Sequence, residues 1–301
     1  MMRIEQLPKD GEAYIHCLSK GSVKKTAVVK SIVLTVFFMW LFLVLSLFIY
    51  TGALQILGYQ AEVEKFSTSF DFLSLPNGER FIDWVLFLFF PSAYVANRIV
   101  FKEKLGEMFS LTGKFRVKWA LKCLLFLTPV MLITTVGQNC IDGIPELTLP
   151  ESFLVSVTLT IVFTTIQCLG EEMLFRAWAI QTFGILFKHR KTAWIVLSIV
   201  FAFIFSIIHT PGNFWIGLDL FLFAILMCLL VYHTGGMEAA IIFHTLNNLI
   251  LNLTELFTVE HIDFSAEQQI VAGDWQGSVL SIALEILCYV LLVWYWKRTR
   301  E

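Results

Sequence analysis

Eight long apolar blocks, divided by short polar or turn-forming stretches, leave this chain few ways to fold. In hydrocarbon, every backbone N–H and C=O must be satisfied within the protein, and a helix does this with its own residues. About 20 mostly apolar residues carry a helix across the hydrocarbon. The segments 31–57, 81–99, 119–137, 152–185, 192–210, 214–233, 237–253 and 278–296 read as such helices. Breakers stand between them: Pro76-Asn77-Gly78, Gly143 with Pro145 and Pro150, Pro211-Gly212-Asn213, and Gly235-Gly236. The expected fold is all-α, a polytopic membrane helix bundle of about eight transmembrane helices.

Composition agrees. The chain has 301 residues, 57% hydrophobic and 15% charged, with a mean hydropathy of +0.74. Soluble domains carry ~25% charged residues. A net charge of -2 argues against a nucleic-acid partner. The six cysteines are scattered without a C-x-x-C pair, so neither a disulfide framework nor a thiolate metal site is expected. The first thirty residues lack an early apolar run, and no cleavable signal peptide is expected.

Lys and Arg set topology and favour the cytoplasmic side. They cluster at Lys20, Lys24, Lys25 and Lys30, at Arg98, Lys102, Lys104, Lys114, Arg116 and Lys118, at Lys188, Arg190 and Lys191, and at Lys297, Arg298 and Arg300. The alternate connectors are acidic. Eight crossings place every basic cluster inside. The expectation is a multi-pass protein of the cell membrane with both termini cytoplasmic. Trp119, Trp294, Tyr295 and Trp296 fit an interfacial aromatic belt. Four regions follow: a basic cytoplasmic segment at 1–30, three transmembrane helices within 31–149, a helical core at 150–255, and an extracytoplasmic loop with the last helix at 256–301.

The core carries charges where hydrocarbon is expected. Glu171, Glu172 and Arg176 lie within six residues of the fourth span. A charge at the bilayer centre costs roughly 2.5–3.5 kcal/mol on insertion scales, so such residues need partners or a function. Glu172 and Arg176 are i,i+4 with the acid first, the favourable order for a helical pair. Glu171 is rotated ~100° away. One carboxylate is then neutralised structurally while the other stays available. Gly170 precedes them, and a bend or tilt there is expected in so long a span. His209 ends the fifth span, and His244 and Asn248 share a face of the seventh. A lone membrane His or Asn is most often interhelical glue. Two carboxylates, two imidazoles and an amide on three spans favour a polar functional site. Glu285 and Asp219, in the eighth and sixth spans, could line the same cavity or carry protons.

Three motifs lie on separate helices: Glu171-Glu172-Met173-Leu174-Phe175-Arg176, Phe205 to His209, and His244 to Asn248. In order and spacing they resemble the E-E-x-x-x-R, F-x-x-x-H and H-x-x-x-N/D motifs of the CPBP family, also called the Abi or CAAX-protease family. Its members are membrane-embedded endopeptidases and bacteriocin-processing or immunity proteins. The resemblance covers roughly 150–255, which makes that region a catalytic CPBP-like core. It implies catalytic roles for Glu171, His209, His244 and Asn248. Glu171 would be the base, His209 would orient or deprotonate water, and His244 with Asn248 would stabilise the oxyanion. Glu172 and Arg176 would fix the helix and tune Glu171. The cofactor is either none or a divalent metal such as zinc on Glu171, His209 and His244. The leading expectation is an intramembrane endopeptidase acting on a peptide or membrane-protein substrate in the lipid bilayer. The alternatives are a non-catalytic regulator or bacteriocin-immunity protein, with a sensor kinase as partner, and a proton-coupled transporter using Glu285 and Asp219.

Overall fold

A computed structural model of the chain describes residues 11–15, 17–18, 25–142, 148–149, 152–257 and 275–299. Much of the basic N-terminal cluster and most of the acidic connector at 254–277 lie outside the described residues. Among the described residues the protein is helical and contains no strand. In order, the helices are α1 (Glu12–Ile15), α2 (Lys25–Ile56), α3 (Gln60–Ser69), α4 (Gly78–Phe87), α5 (Phe89–Phe101), α6 (Leu105–Phe109) and α7 (Val117–Asp142). There follow α8 (Phe153–Glu172), a π-helical segment (Met173–Ala179), α9 (Ile180–Gly184), α10 (Arg190–Ile208), α11 (Phe214–Thr234), α12 (Glu238–Leu256) and α13 (Trp275–Thr299).

All eight expected spans fall on helix. Six stretches are long and apolar enough to cross a membrane: Lys25–Ile56, Gly78–Phe101, Phe153–Gly184, Arg190–Ile208, Phe214–Thr234 and Trp275–Thr299. Six crossings are thus shown by length and composition, against the eight expected. The expected third span runs on α7 past Ile133, where the described side chains end. The expected seventh is α12, whose Glu238, His244, Asn247, Asn248 and Asn252 dilute its hydropathy. The same polar residues that weaken its membrane signal supply part of the site.

The helices sort by depth of burial. α2 packs mainly on α5. Its other faces expose Val33, Phe37, Trp40, Val44 and Phe48, as expected of a helix solvated by lipid. α8 packs between α4 and α12, while α10, α11 and α13 pack in succession. The first half of α12, from Glu238 to Leu246, is almost wholly buried. The interior is therefore built around α8, the π segment, α11 and α12.

Gly170 plays a different part from the bend expected of it. A Cβ there would stand 2.3 Å from the Leu86 carbonyl oxygen, so the glycine permits close approach of α4 to α8. The local irregularity falls later, as the π-helical turns that begin immediately after Glu172. Such π insertions shift the facing of everything downstream and are frequent at functional sites.

Polar joints tie the helices together. Trp178 donates from Nε1 to Ser31 Oγ at 3.0 Å, and Ser31 donates to Asn97 Oδ1 at 2.6 Å. Asn97 donates in turn to Glu103 Oε2 at 2.9 Å. This buried chain joins α2 and α5 to the π segment. At the basic end, Arg116 donates from Nε to Glu238 Oε1 at 2.9 Å and from Nη1 to the Thr234 carbonyl at 2.8 Å. Its guanidinium also lies 5.1 Å over the Trp296 ring. Trp119 of α7 packs on both Tyr295 and Trp296 of α13. Within the expected belt, Trp119 is buried whereas Trp294 is exposed.

Candidate active site

Glu171 and Glu172 end α8 and are both buried. Their neighbours separate them as the helical rotation requires. Glu172 Oε1 accepts from Arg176 Nη1 at 2.8 Å, the expected i,i+4 pair. The same oxygen lies 2.9 Å from His244 Nδ1. An ionised carboxylate only accepts, so Nδ1 carries the proton of this bond. Glu172 therefore fixes the imidazole as well as its own helix. Arg176 is 1% exposed and its guanidinium packs 4.6 Å from the Phe205 ring centre.

Glu171 is held from the other side. Gln167, one turn earlier in α8, donates from Nε2 to Glu171 Oε1 at 3.0 Å. Glu171 Oε2 is buried without a hydrogen-bond partner and faces His244 Nε2 at 3.7 Å. That separation is too long for a direct hydrogen bond. Asn248 completes this wall, with Nδ2 3.4 Å from His244 Nε2. Asn247 donates to Asn248 Oδ1 at 3.4 Å. Phe223 of α11 packs against His244 with ring centres 5.2 Å apart.

His209 joins the assembly through an aromatic ring. Its Nδ1 is 2.7 Å from the Phe205 carbonyl oxygen, and its ring lies tilted against that of Phe205, with centres 4.3 Å apart. Phe205 also lies 6.1 Å from His244. The structure thus brings together Glu171, Glu172, Arg176, His244 and Asn248, while His209 occupies the adjoining position beyond Phe205.

The zinc set of Glu171, His209 and His244 is not brought together, because the Phe205 ring lies against both imidazoles. The Nδ1 of each imidazole is engaged, that of His244 by Glu172 and that of His209 by the Phe205 carbonyl, an arrangement that orients the rings. Among the described residues no group of three His, Cys, Asp or Glu side chains converges to hold a metal ion.

Two neighbours, Gln167 and Cys168, were not singled out as site residues from the sequence. Gln167 lies one turn from Glu171, an i,i+4 relation the sequence displays. The Glu172–His244 bond joins residues 72 positions apart and has no local signal. Cys168, fully buried, lies within electrostatic reach of His244 and both glutamates. Glu285 is buried with Oε2 unpartnered, and Asp219 likewise has an unpartnered Oδ1. Glu285 interacts electrostatically with both Asp219 and His244.

Comparison with known proteins bears on the same segment. Residues 153–250 match the family model of type II CAAX prenyl endopeptidase Rce1-like proteins. The match to the family recognised from the three motifs covers the segment that contains all of them. The chain has several helices long and apolar enough to cross a membrane, and its 153–250 segment is similar to CAAX-type intramembrane proteases. It is also 22% identical over 246 residues to the uncharacterized protein YyaK of Bacillus subtilis, covering 76% of this chain and 79% of that one. No solved structure matches it.

Proposed function

We propose that the protein is an intramembrane endopeptidase that hydrolyses a peptide bond with water activated by Glu171. The observation that carries this reading is the unpartnered Glu171 Oε2, buried 3.7 Å from His244 Nε2, beside a Glu172 already bound to Arg176 and His244. A water bound at Oε2 would donate to it. Glu171 takes its proton as the oxygen attacks the scissile carbonyl. The proton then passes to the leaving amine as the tetrahedral intermediate collapses, which yields an acid, an amine and the restored carboxylate.

The orientation of His244 refines the roles implied by the resemblance. With Nδ1–H directed to Glu172, the ring turns Nε2 toward Glu171 Oε2 and Asn248 Nδ2. The N–H available to the developing oxyanion is then that of the Asn248 amide. His209, beyond Phe205, would line the substrate's approach to the same wall. The substrate is a peptide or membrane protein reached within the bilayer, and both termini are assigned to the cytoplasm.

The test is cleavage by purified protein of fluorogenic CAAX-type peptides, prenylated and unprenylated, with and without chelator. Cleavage that survives chelator and is lost in Glu171→Gln is expected. Chelator-sensitive cleavage, or undiminished cleavage by the variant, rejects the glutamate mechanism. The transporter reading rests on the unpartnered oxygens of Asp219 and Glu285. Proton flux in proteoliposomes that is abolished in Glu285→Gln would favour it.

A further inference from the structure

We infer that Gln167 is a positioning residue for the general base. This rests on the peptidase reading above. Glu171 has two oxygens with unlike surroundings. Oε1 accepts from Gln167 Nε2 at 3.0 Å, and Oε2 faces His244 Nε2 at 3.7 Å with no hydrogen bond. A carboxylate rotates readily about its terminal torsion, which is broad and two-fold. One bond to one oxygen removes that freedom and fixes where the other oxygen stands. Gln167 is well placed to supply it, because residues four apart in an α-helix share a face.

The arrangement is symmetrical in its logic. His244 is oriented by Glu172 through Nδ1, which aims Nε2 at the reaction space. Glu171 is oriented by Gln167 through Oε1, which aims Oε2 at the same space. Both anchors, Gln167 and Glu172, belong to α8, so one helix orients both its own base and the imidazole that α12 brings to it. An amide suits this duty. It donates to the carboxylate without adding a charge to a site where Asp83 of α4, Glu172 and His244 already interact electrostatically with one another, with Glu171 or with Cys168.

The experiment compares Gln167→Leu, Gln167→Glu and Gln167→Lys in the full-length protein with fluorogenic CAAX-type peptides. Loss of positioning should lower kcat by about tenfold or more in Gln167→Leu with KM little changed. Gln167→Glu, nearly isosteric but without the N–H donor, should be worse. Gln167→Lys, which keeps an N–H donor, should recover part of the loss. A role in packing alone predicts the opposite order, with isosteric Glu the mildest change, and that order overturns the assignment. A second arm needs no substrate. Thermal unfolding in detergent of Gln167→Leu, Glu171→Leu and the double variant should show non-additive losses, the signature of a direct interaction. Additive losses overturn the assignment whatever the activity. Non-additive losses in a protein that cleaves neither the prenylated nor the unprenylated peptide leave the bond intact. They reject the peptidase reading and, with it, the catalytic meaning of the bond.

Discussion

Glu172 Oε1 lies 2.8 Å from Arg176 Nη1 and 2.9 Å from His244 Nδ1. One oxygen therefore answers both for a buried cation and for the orientation of an imidazole. Removing the cation alone leaves the carboxylate buried without its charge partner, a change that costs about 3–5 kcal/mol at comparable sites. Arg176→Ala should lower stability by about that amount in thermal unfolding in detergent. Glu172→Gln combined with Arg176→Met removes both charges and should unfold at higher temperature than either single variant. Additive losses in that cycle would show that the pair is not coupled. Glu171 behaves differently, because no charge partner depends on it in the same way. Glu171→Gln preserves size and should keep the fold while peptide cleavage falls by at least ~10²-fold. Near-normal turnover by that variant excludes Glu171 as the base.

At the scale of elements, α8 and α4 touch where Gly170 has no side chain. Gly170→Ala would set a methyl group 2.3 Å from the Leu86 carbonyl oxygen, a backbone atom that moves only with its helix. Overpacking of this kind costs about 1–3 kcal/mol. The control is Gly52→Ala in α2, where an added Cβ meets nothing within 4 Å. Because alanine is the better helix former, that change should be neutral or slightly stabilising. Thermal unfolding of the two variants side by side checks the difference. Equal melting temperatures would mean that α4 and α8 do not approach so closely in the membrane. The close approach also bears on the site, since Gly170 is the residue before Glu171 and any displacement there moves the base.

Over the whole molecule, alternation of basic and acidic connectors predicts the sides of the membrane. Both termini should be cytoplasmic and the connector at 254–277 should face outward. In a cysteine-free background, a cysteine at Ser265, outside the described residues, should label with an impermeant maleimide in intact cells. One at Thr299, at the end of α13, should not. The reverse labelling pattern would invert the bundle and exchange the sides from which substrate and water enter.

Much of the architecture was legible because it depends on local composition. Apolar runs of span length must become helices in hydrocarbon, and all eight segments are helical even though only six meet the criterion for a crossing. The pairing of Glu172 with Arg176 was legible too, since an i,i+4 contact is settled by helix geometry alone. The three motifs sufficed to identify the family later matched over 153–250. Tertiary structure decided the rest. The Glu172–His244 bond and the gap between Glu171 and His244 depend on how α8 meets α12. Phe205 separates His209 from His244 because of how α10 is placed beside them. Gly170 read as a bend in the sequence, yet it serves a close helix contact because α4 crosses there. Side-chain spacing along one helix states which groups share a face, whereas the distance between faces of different helices is fixed only when the bundle packs.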